Sequence, residues 1–182
     1  MEITFEGITL RPWTIRDAPQ LTLIADNKKI ADNVRDGLPQ PYTLRDAKEW
    51  LSIILLQNDP PRFFAIIADN QLVGNFGITT KTDIYRKNIE IGYFIAESQW
   101  GKGIATKSIK AATSYAFSNF DIIRVYAESF TDNYGSRRAL EKAGFKLEAI
   151  LKKNIIKNEI IKDSCIYSVL REEWSAISGT VQ

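Results

Sequence analysis

Residues Ile89–Ala112 read IEIGYFIAESQWGKGIATKSIKAA, and the pattern changes twice along them. Asn88–Ala96 is a run of alternating apolar residues that predicts a strand. From Gly101 onward the apolar positions Ala105, Ile109, Ala112, Ala116 and Phe120 recur with a helical period, which predicts a helix of about four turns. Between the two, Ser98–Ser108 crowds two glycines, three hydroxyls and two lysines into the mouth of that helix. A helix N-terminus carries unpaired N–H groups and about half a positive charge, so it takes an anion if the backbone can come close. Gly101 and Gly103 permit the approach, while Lys102, Thr106 and Lys107 add charge and hydroxyls. The alternative is a tight strand-to-helix turn with no ligand. The context of strand, glycines and immediate helix favours a nucleotide-like pyrophosphate.

No GxxxxGK[ST] loop occurs, whereas Gly101–Thr106 gives GxGxxT with Glu128 on the next strand, which keeps a dinucleotide-binding reading open. Against it, the loop follows a meander of strands instead of the first strand of a parallel sheet, and Thr106 stands where close packing wants glycine.

Working outward, residues 3–11 read as one strand, and APQLTLIA after Asp17 as a helix. Thr43-Leu-Arg-Asp46 forms a capping pattern ahead of Ala47, Trp50, Leu51, Ile54 and Leu55, one apolar face of a second helix. The connection Asp69-Asn-Gln71 between Arg62–Ala68 and Leu72–Thr80 is short enough to demand an antiparallel hairpin. Further on come a strand at Ile122–Ser129, a short helix at Asn133–Ala143 stopped by Gly144, and paired strands at Phe145–Asn154 and Ile160–Leu170 with Asn158-Glu159 at their turn.

The chain has 182 residues, 45% hydrophobic and 25% charged, with a net charge of +2. One domain over 1–182 is expected, burying roughly 70% of its unfolded surface. Its scattered basic residues predict no nucleic-acid partner, and its apolar runs fall far short of the ~20 residues of a membrane span, so no membrane association and a cytoplasmic location are expected. There is no histidine, and Cys165 is the single cysteine, in the strand-like run SCIYSVL. That composition excludes Ser-His-Asp and Cys-His nucleophiles, makes a zinc site poor, and leaves Cys165 as a core thiol with no metal expected.

The block Ile89–Ala112, followed by Asn133-Tyr-Gly-Ser136 and Leu140-Glu-Lys-Ala-Gly-Phe145, resembles the GNAT superfamily of acetyl-CoA-dependent N-acetyltransferases. LRPWTIRDA near the start and Tyr167–Trp174 near the end resemble its ribosomal-protein N-terminal acetyltransferase (RimJ/RimL-like) branch, and the likeness spans roughly Ile8–Trp174. It implies an α+β fold with a mixed, mostly antiparallel twisted sheet of about seven strands and about four helices packed on both faces.

It also implies that the loop of Trp100, Gly101, Lys102, Gly103, Ile104, Ala105 and Thr106 holds the coenzyme A pyrophosphate. The pantetheine arm then pairs with the strand at Tyr93–Ala96, including Phe94 and Ile95, and with Asn133. Arg137, Arg138 and Lys142 are candidates for the 3′-phosphate, or simply solvated charges. In many members a tyrosine on the helix after Asn133 protonates the departing thiolate. Leu140 occupies that place here, which leaves Tyr134, Ser136, water or an unassisted thiolate.

Alternation along Asn88–Ala96 puts Ile89, Ile91, Tyr93 and Ile95 on one face and Glu90, Gly92 and Phe94 on the other. Glu90 is the strand's one charge. It reads either as an edge charge reaching solvent or as a general base, with a pKa raised by burial, that takes a proton from the amine; the resemblance points to the same position. A backbone N–H near Phe94 or Ile95 would stabilise the oxyanion, and no covalent intermediate is required. Expected partners are a coenzyme A thioester and an amine acceptor, a protein N-terminus or a small-molecule amine, for a monomer or a homodimer. Protein α-amines, with pKa near 7.7–8.0 against 10.4 for lysine, ask less of one glutamate. Two other readings stand beside this one: a catalytically silent acyl-CoA-binding module, and a dinucleotide-binding oxidoreductase.

Overall fold

The computed structural model describes residues 1–56 and 59–178. Residues 57, 58 and 179–182 of the expected 1–182 domain lie outside the described residues. The elements run β1 (Ile3–Phe5), β2 (Ile8–Pro12), α1 (Ala18–Ala25), α2 (Lys28–Ala31), α3 (Leu44–Leu55), β3 (Phe63–Ala68), β4 (Gln71–Thr80), β5 (Asn88–Ile95), α4 (Ile104–Asn119), β6 (Arg124–Phe130), α5 (Tyr134–Lys142), β7 (Lys146–Lys157), β8 (Ile160–Leu170) and α6 (Arg171–Ser178). Among the described residues the strands form one sheet of eight in the order β1-β2-β3-β4-β5-β6-β8-β7. β5 pairs with β6 in parallel, whereas β1/β2, β2/β3, β3/β4, β6/β8 and β7/β8 pair antiparallel. This is the α+β architecture expected of the GNAT fold. No helix among the described residues is long and apolar enough to cross a membrane.

Three expectations need correction. Residues 3–11 are a hairpin, because Glu6 and Gly7 adopt φ of 45° and 83° and reverse the chain. The short α2 and the terminal α6 bring the α-helices among the described residues to six; α2 is too short for periodicity to reveal. The strand expected to end at Asn154 continues to Lys157, so only two residues separate the last two strands. The chain turns at Asn158 and Glu159, whose φ values of 50° and 63° suit a two-residue hairpin turn, and Asp69 and Asn70 (49° and 59°) turn β3 into β4 the same way.

The chain forms two compact units. The first comprises Met1–Gly77 and Tyr93–Ser108. Its core holds Trp13, Leu21, Tyr42, Leu51, Ile54, Ala65 and Leu72, with Trp50 and Phe94 packed against them. Thr43 and Asp46 form the expected capping box at the start of α3, Thr43 N donating to Asp46 Oδ2 at 2.8 Å. The buried face of α3 is Ala47, Leu51 and Ile54, as its spacing requires. Trp13 stands edge-on to Trp50 at 5.7 Å, and its indole N–H donates to Asn75 Oδ1 at 3.0 Å, so the ring is buried without an orphaned donor.

The second unit comprises Ile78–Gly92 and Ile109 onward. β6 alternates strictly, with Val125, Ala127 and Ser129 buried and Arg124, Tyr126, Glu128 and Phe130 half-buried. β8 matches it in register: Cys165, Tyr167 and Val169 lie opposite Ser129, Ala127 and Val125. Cys165 is buried, its Sγ 3.3 Å from the Ser129 carbonyl, and burial raises its pKa, as befits a core thiol. Arg171 donates to the carbonyls of Phe120 and Ile122 just beyond α4, and Trp174 Nε1 donates to Ser114 Oγ at 3.1 Å.

Candidate active site

The glycine loop lies in the first unit. Gly101 and Gly103 both have φ of +77°, the left-handed region that side chains disfavour, and a Cβ at either would meet nothing within 4 Å. The two positions thus combine glycine-only backbone with open space in front of it, and α4 starts at Ile104 directly behind them. That pairing of open backbone and helix mouth fits a pyrophosphate.

Several contacts hold the loop. Trp100, half its side chain exposed, donates its indole N–H to the Ile95 carbonyl at 2.7 Å, tying the loop back to the end of β5. Ala96 N donates to Val73 O at 2.7 Å, and Tyr93 stacks on Phe76 at 5.7 Å. Glu97 accepts from Asn27 Nδ2 at 2.8 Å and from Lys29, and these bonds hold its carboxyl below the usual range. Of the two lysines, Lys102 donates to Gln99 Oε1 at 3.0 Å, and Lys107 donates to the Glu6 carbonyl at 2.8 Å. Gly74 lets β4 close on β5: a Cβ there would collide with the Phe94 carbonyl oxygen and press on Ile66 and Ile95 at 3.1 Å. Phe94, Ile95 and Trp100 to Thr106 are therefore one assembled segment of a single unit.

Glu90 lies in the second unit, on the face expected from alternation, with Ile89 and Ile91 buried on the other. Parallel pairing sets it opposite Tyr126. Lys81 Nζ lies 2.6 Å from Glu90 Oε2, and the Tyr126 hydroxyl 3.4 Å from the same oxygen. The side chain of Glu90 is only 11% exposed, so the edge-charge reading gives way to an enclosed carboxylate. Its neighbour, however, is a cation, which favours the ionised form, whereas the reading from sequence relied on burial alone. A Cβ on Gly92 would meet nothing within 4 Å, as expected of space beside the carboxylate.

The remaining predicted residues belong to the same unit as Glu90. Asn133 caps α5, its Oδ1 accepting from Ser136 N at 3.1 Å. Tyr134 is 71% exposed, Ser136 half-buried, and Leu140 fully buried in the core. Arg137, a 3′-phosphate candidate, donates from Nε to the Tyr167 hydroxyl at 3.2 Å and from a terminal nitrogen to the Thr131 carbonyl at 2.8 Å. Lys142 is exposed in the last turn of α5. Glu128, the ribose candidate of the dinucleotide reading, accepts from Ser164 Oγ at 2.7 Å and Asn154 Nδ2 at 3.0 Å.

Lys81 and Tyr126 escaped the sequence reading. The signal for Lys81 was its place at the end of β4, where a short connection to β5 returns the chain past it; Lys81 N donates to Asn88 O at 3.3 Å. Tyr126 depends on a pairing between distant segments that no local pattern encodes.

Strand, open glycine loop and helix follow one another as expected of an acyltransferase of the GNAT type, and the chain belongs to that family: the family model described as Acetyltransferase (GNAT) domain matches residues 8–146. The Bacillus subtilis protein named Probable N-acetyltransferase YjcK is 32% identical over 172 residues, covering 91% of this chain and 95% of its own. The Escherichia coli ribosomal-protein-serine acetyltransferase is 26% identical over 117 residues, 64% of this chain and 65% of its own. Among solved structures, Mycobacterium smegmatis RimJ in complex with CoA-disulfide has the same fold, with a TM-score of 0.83 at 23% identity over 98% of this chain and 93% of that one.

Proposed function

We propose that the chain acts as one domain that moves an acetyl group from acetyl-CoA directly to an amine, with a protein N-terminal α-amine as the acceptor. The observation that carries this reading is the pair of left-handed glycines with open space before them at the start of α4. In it, backbone N–H groups from Trp100 to Thr106 bind the pyrophosphate, with Lys102 adding charge. Phe94 and Ile95 offer backbone to the pantetheine arm and an N–H to the carbonyl oxygen as negative charge develops there. Asn133 is the second partner of that arm, and Lys142 stands nearer to a 3′-phosphate role than Arg137, whose donors already bond Tyr167 and Thr131.

Glu90 takes the proton from the acceptor ammonium, directly or through one water. The neutral nitrogen then attacks the thioester carbon, forming the C–N bond and an oxyanion. As the oxyanion collapses the C–S bond breaks, the nitrogen sheds its second proton and the thiolate takes one up, so the products are a neutral amide and the free thiol of coenzyme A. Ser136 and Tyr134 are the candidate donors of the thiolate's proton. An α-amine suits this arrangement because roughly a tenth of it is already neutral near pH 7, against well under a thousandth of a lysine side chain.

The test is acetyl transfer by wild type and Glu90→Gln to peptides with free α-amines. Loss of ~10²–10⁴ in kcat/KM with acetyl-CoA affinity retained is expected of a general base. Cofactor binding without turnover on any amine by the wild type would instead indicate a silent acyl-CoA-binding module.

A further inference from the structure

Lys81 takes no part in the glycine loop, nor does the family likeness single it out. It follows β4, and its ammonium occupies a donor position on Glu90 Oε2 at 2.6 Å, with both side chains largely enclosed at 29% and 11% exposure. From β6, the Tyr126 hydroxyl lies 3.4 Å from the same oxygen, and its ring lies 5.7 Å from the Lys81 ammonium and 4.7 Å from the Arg124 guanidinium. Arg124 is matched in turn by Glu148 of β7 and donates to Asn88 Oδ1 at 3.0 Å. The charges facing one another here are therefore Lys81 and Arg124 against Glu90 and Glu148. When Glu90 takes up a proton, Lys81 loses the countercharge beside it.

We infer that Lys81 is a specificity-determining residue. By holding Glu90 as a carboxylate it limits how strongly Glu90 draws a proton, and so restricts the acceptor to amines that give one up easily. Those are α-amines, not lysine side chains or aliphatic polyamines. Near pH 7 the neutral fraction of an α-amine exceeds that of a lysine side chain by roughly a few hundredfold. A carboxylate paired to a fixed cation preserves this difference, whereas a strongly basic one would erode it. Burial works to lower the pKa of Lys81, but hydrogen bonds to Glu90 and Tyr126 outweigh it and leave it raised, so the cation persists across the neutral range.

This inference rests on Glu90 being the base, and the experiment separates the two. Wild type, Lys81→Met, Lys81→Arg and Glu90→Gln are assayed from pH 5 to 9 with acetyl-CoA and two acceptors: a lysine-free peptide with a free N-terminus, and the polyamine spermidine. In parallel, the side-chain carboxyl of Glu90 is titrated by carbon-13 NMR in wild type and the two Lys81 variants, which needs no acceptor, and the dispersion of the spectra checks that all four proteins are folded. For Lys81→Met, the acidic limb of kcat/KM and the Glu90 midpoint should both move up by about one pH unit, and the preference for the α-amine should fall about tenfold. Lys81→Arg should keep the wild-type behaviour. If Glu90→Gln is inactive while Lys81→Met keeps the wild-type limb, midpoint and preference, the role of Lys81 is refuted and the base stands. If Glu90→Gln retains full activity, both readings fall together.

Discussion

At Gly103 the backbone sits at φ +77° with nothing within 4 Å of where a Cβ would stand, so an added methyl is strained by its dihedral, not by crowding. Gly103→Ala should cost ~1–2 kcal/mol of stability and also place carbon where a phosphate approaches the amides. The expected outcome is a rise in the KM for acetyl-CoA of tenfold or more with kcat changed far less, measured by initial rates and checked by calorimetric titration. Such residues are legible in sequence because their demands are local: a loop that needs left-handed backbone shows itself as glycine. Glu90 was half legible. Alternation placed it on the right face, but the ammonium of Lys81 and the phenol of Tyr126 come from other strands, and only assembly of β4, β5 and β6 brings them to it.

Elements were read best where a turn has its own chemistry. Asp69-Asn70 and Asn158-Glu159 turn as expected: asparagine and aspartate tolerate positive φ, and Glu159 follows Asn158 into the same region to complete a two-residue turn. The β1/β2 turn was missed because its hairpin is so short that the run still reads as one strand. Close approach between strands is likewise invisible until they are assembled. Gly74→Ala should destabilise the protein by about 1–3 kcal/mol, since the new methyl meets the Phe94 carbonyl, which is backbone and cannot swing aside. Chemical denaturation would show it as a lower midpoint at unchanged slope.

The entry to α1 is pH-sensitive. Arg11 grips Asp17 with two bonds of 2.8 and 2.7 Å, and Thr14 N donates to Asp17 at 2.8 Å. Burial works to raise the pKa of Asp17, but these bonds outweigh it and hold the carboxyl below its ordinary value. The folded-state pKa is therefore below the unfolded one, near ~3.9, so this stabilisation is fully present above that value and is lost as pH falls through the lower, folded one. Asp17→Asn should flatten the acid side of a plot of melting temperature against pH, and should lower the melting temperature near neutrality.

For the whole molecule, the family was legible because the glycine loop, the strand before it and the asparagine after it stand in a recognisable order along the chain. The elements that remained hidden, the second half of the first hairpin, the short α2 and α6, lie outside those segments, as do Lys81 and Tyr126, which meet Glu90 only through the fold. If the glycine loop holds coenzyme A, thermal unfolding with and without acetyl-CoA will register it. A ligand at a hundred times its Kd stabilises by about 2.7 kcal/mol, which for a chain of this size raises the melting temperature by roughly 5–11 °C. That rise is expected with acetyl-CoA, none with NAD at the same concentration, and a rise cut to about half or less in Gly103→Ala at the same acetyl-CoA concentration. An unmoved melting point with saturating acetyl-CoA, or a rise with NAD in its place, would contradict the coenzyme A reading.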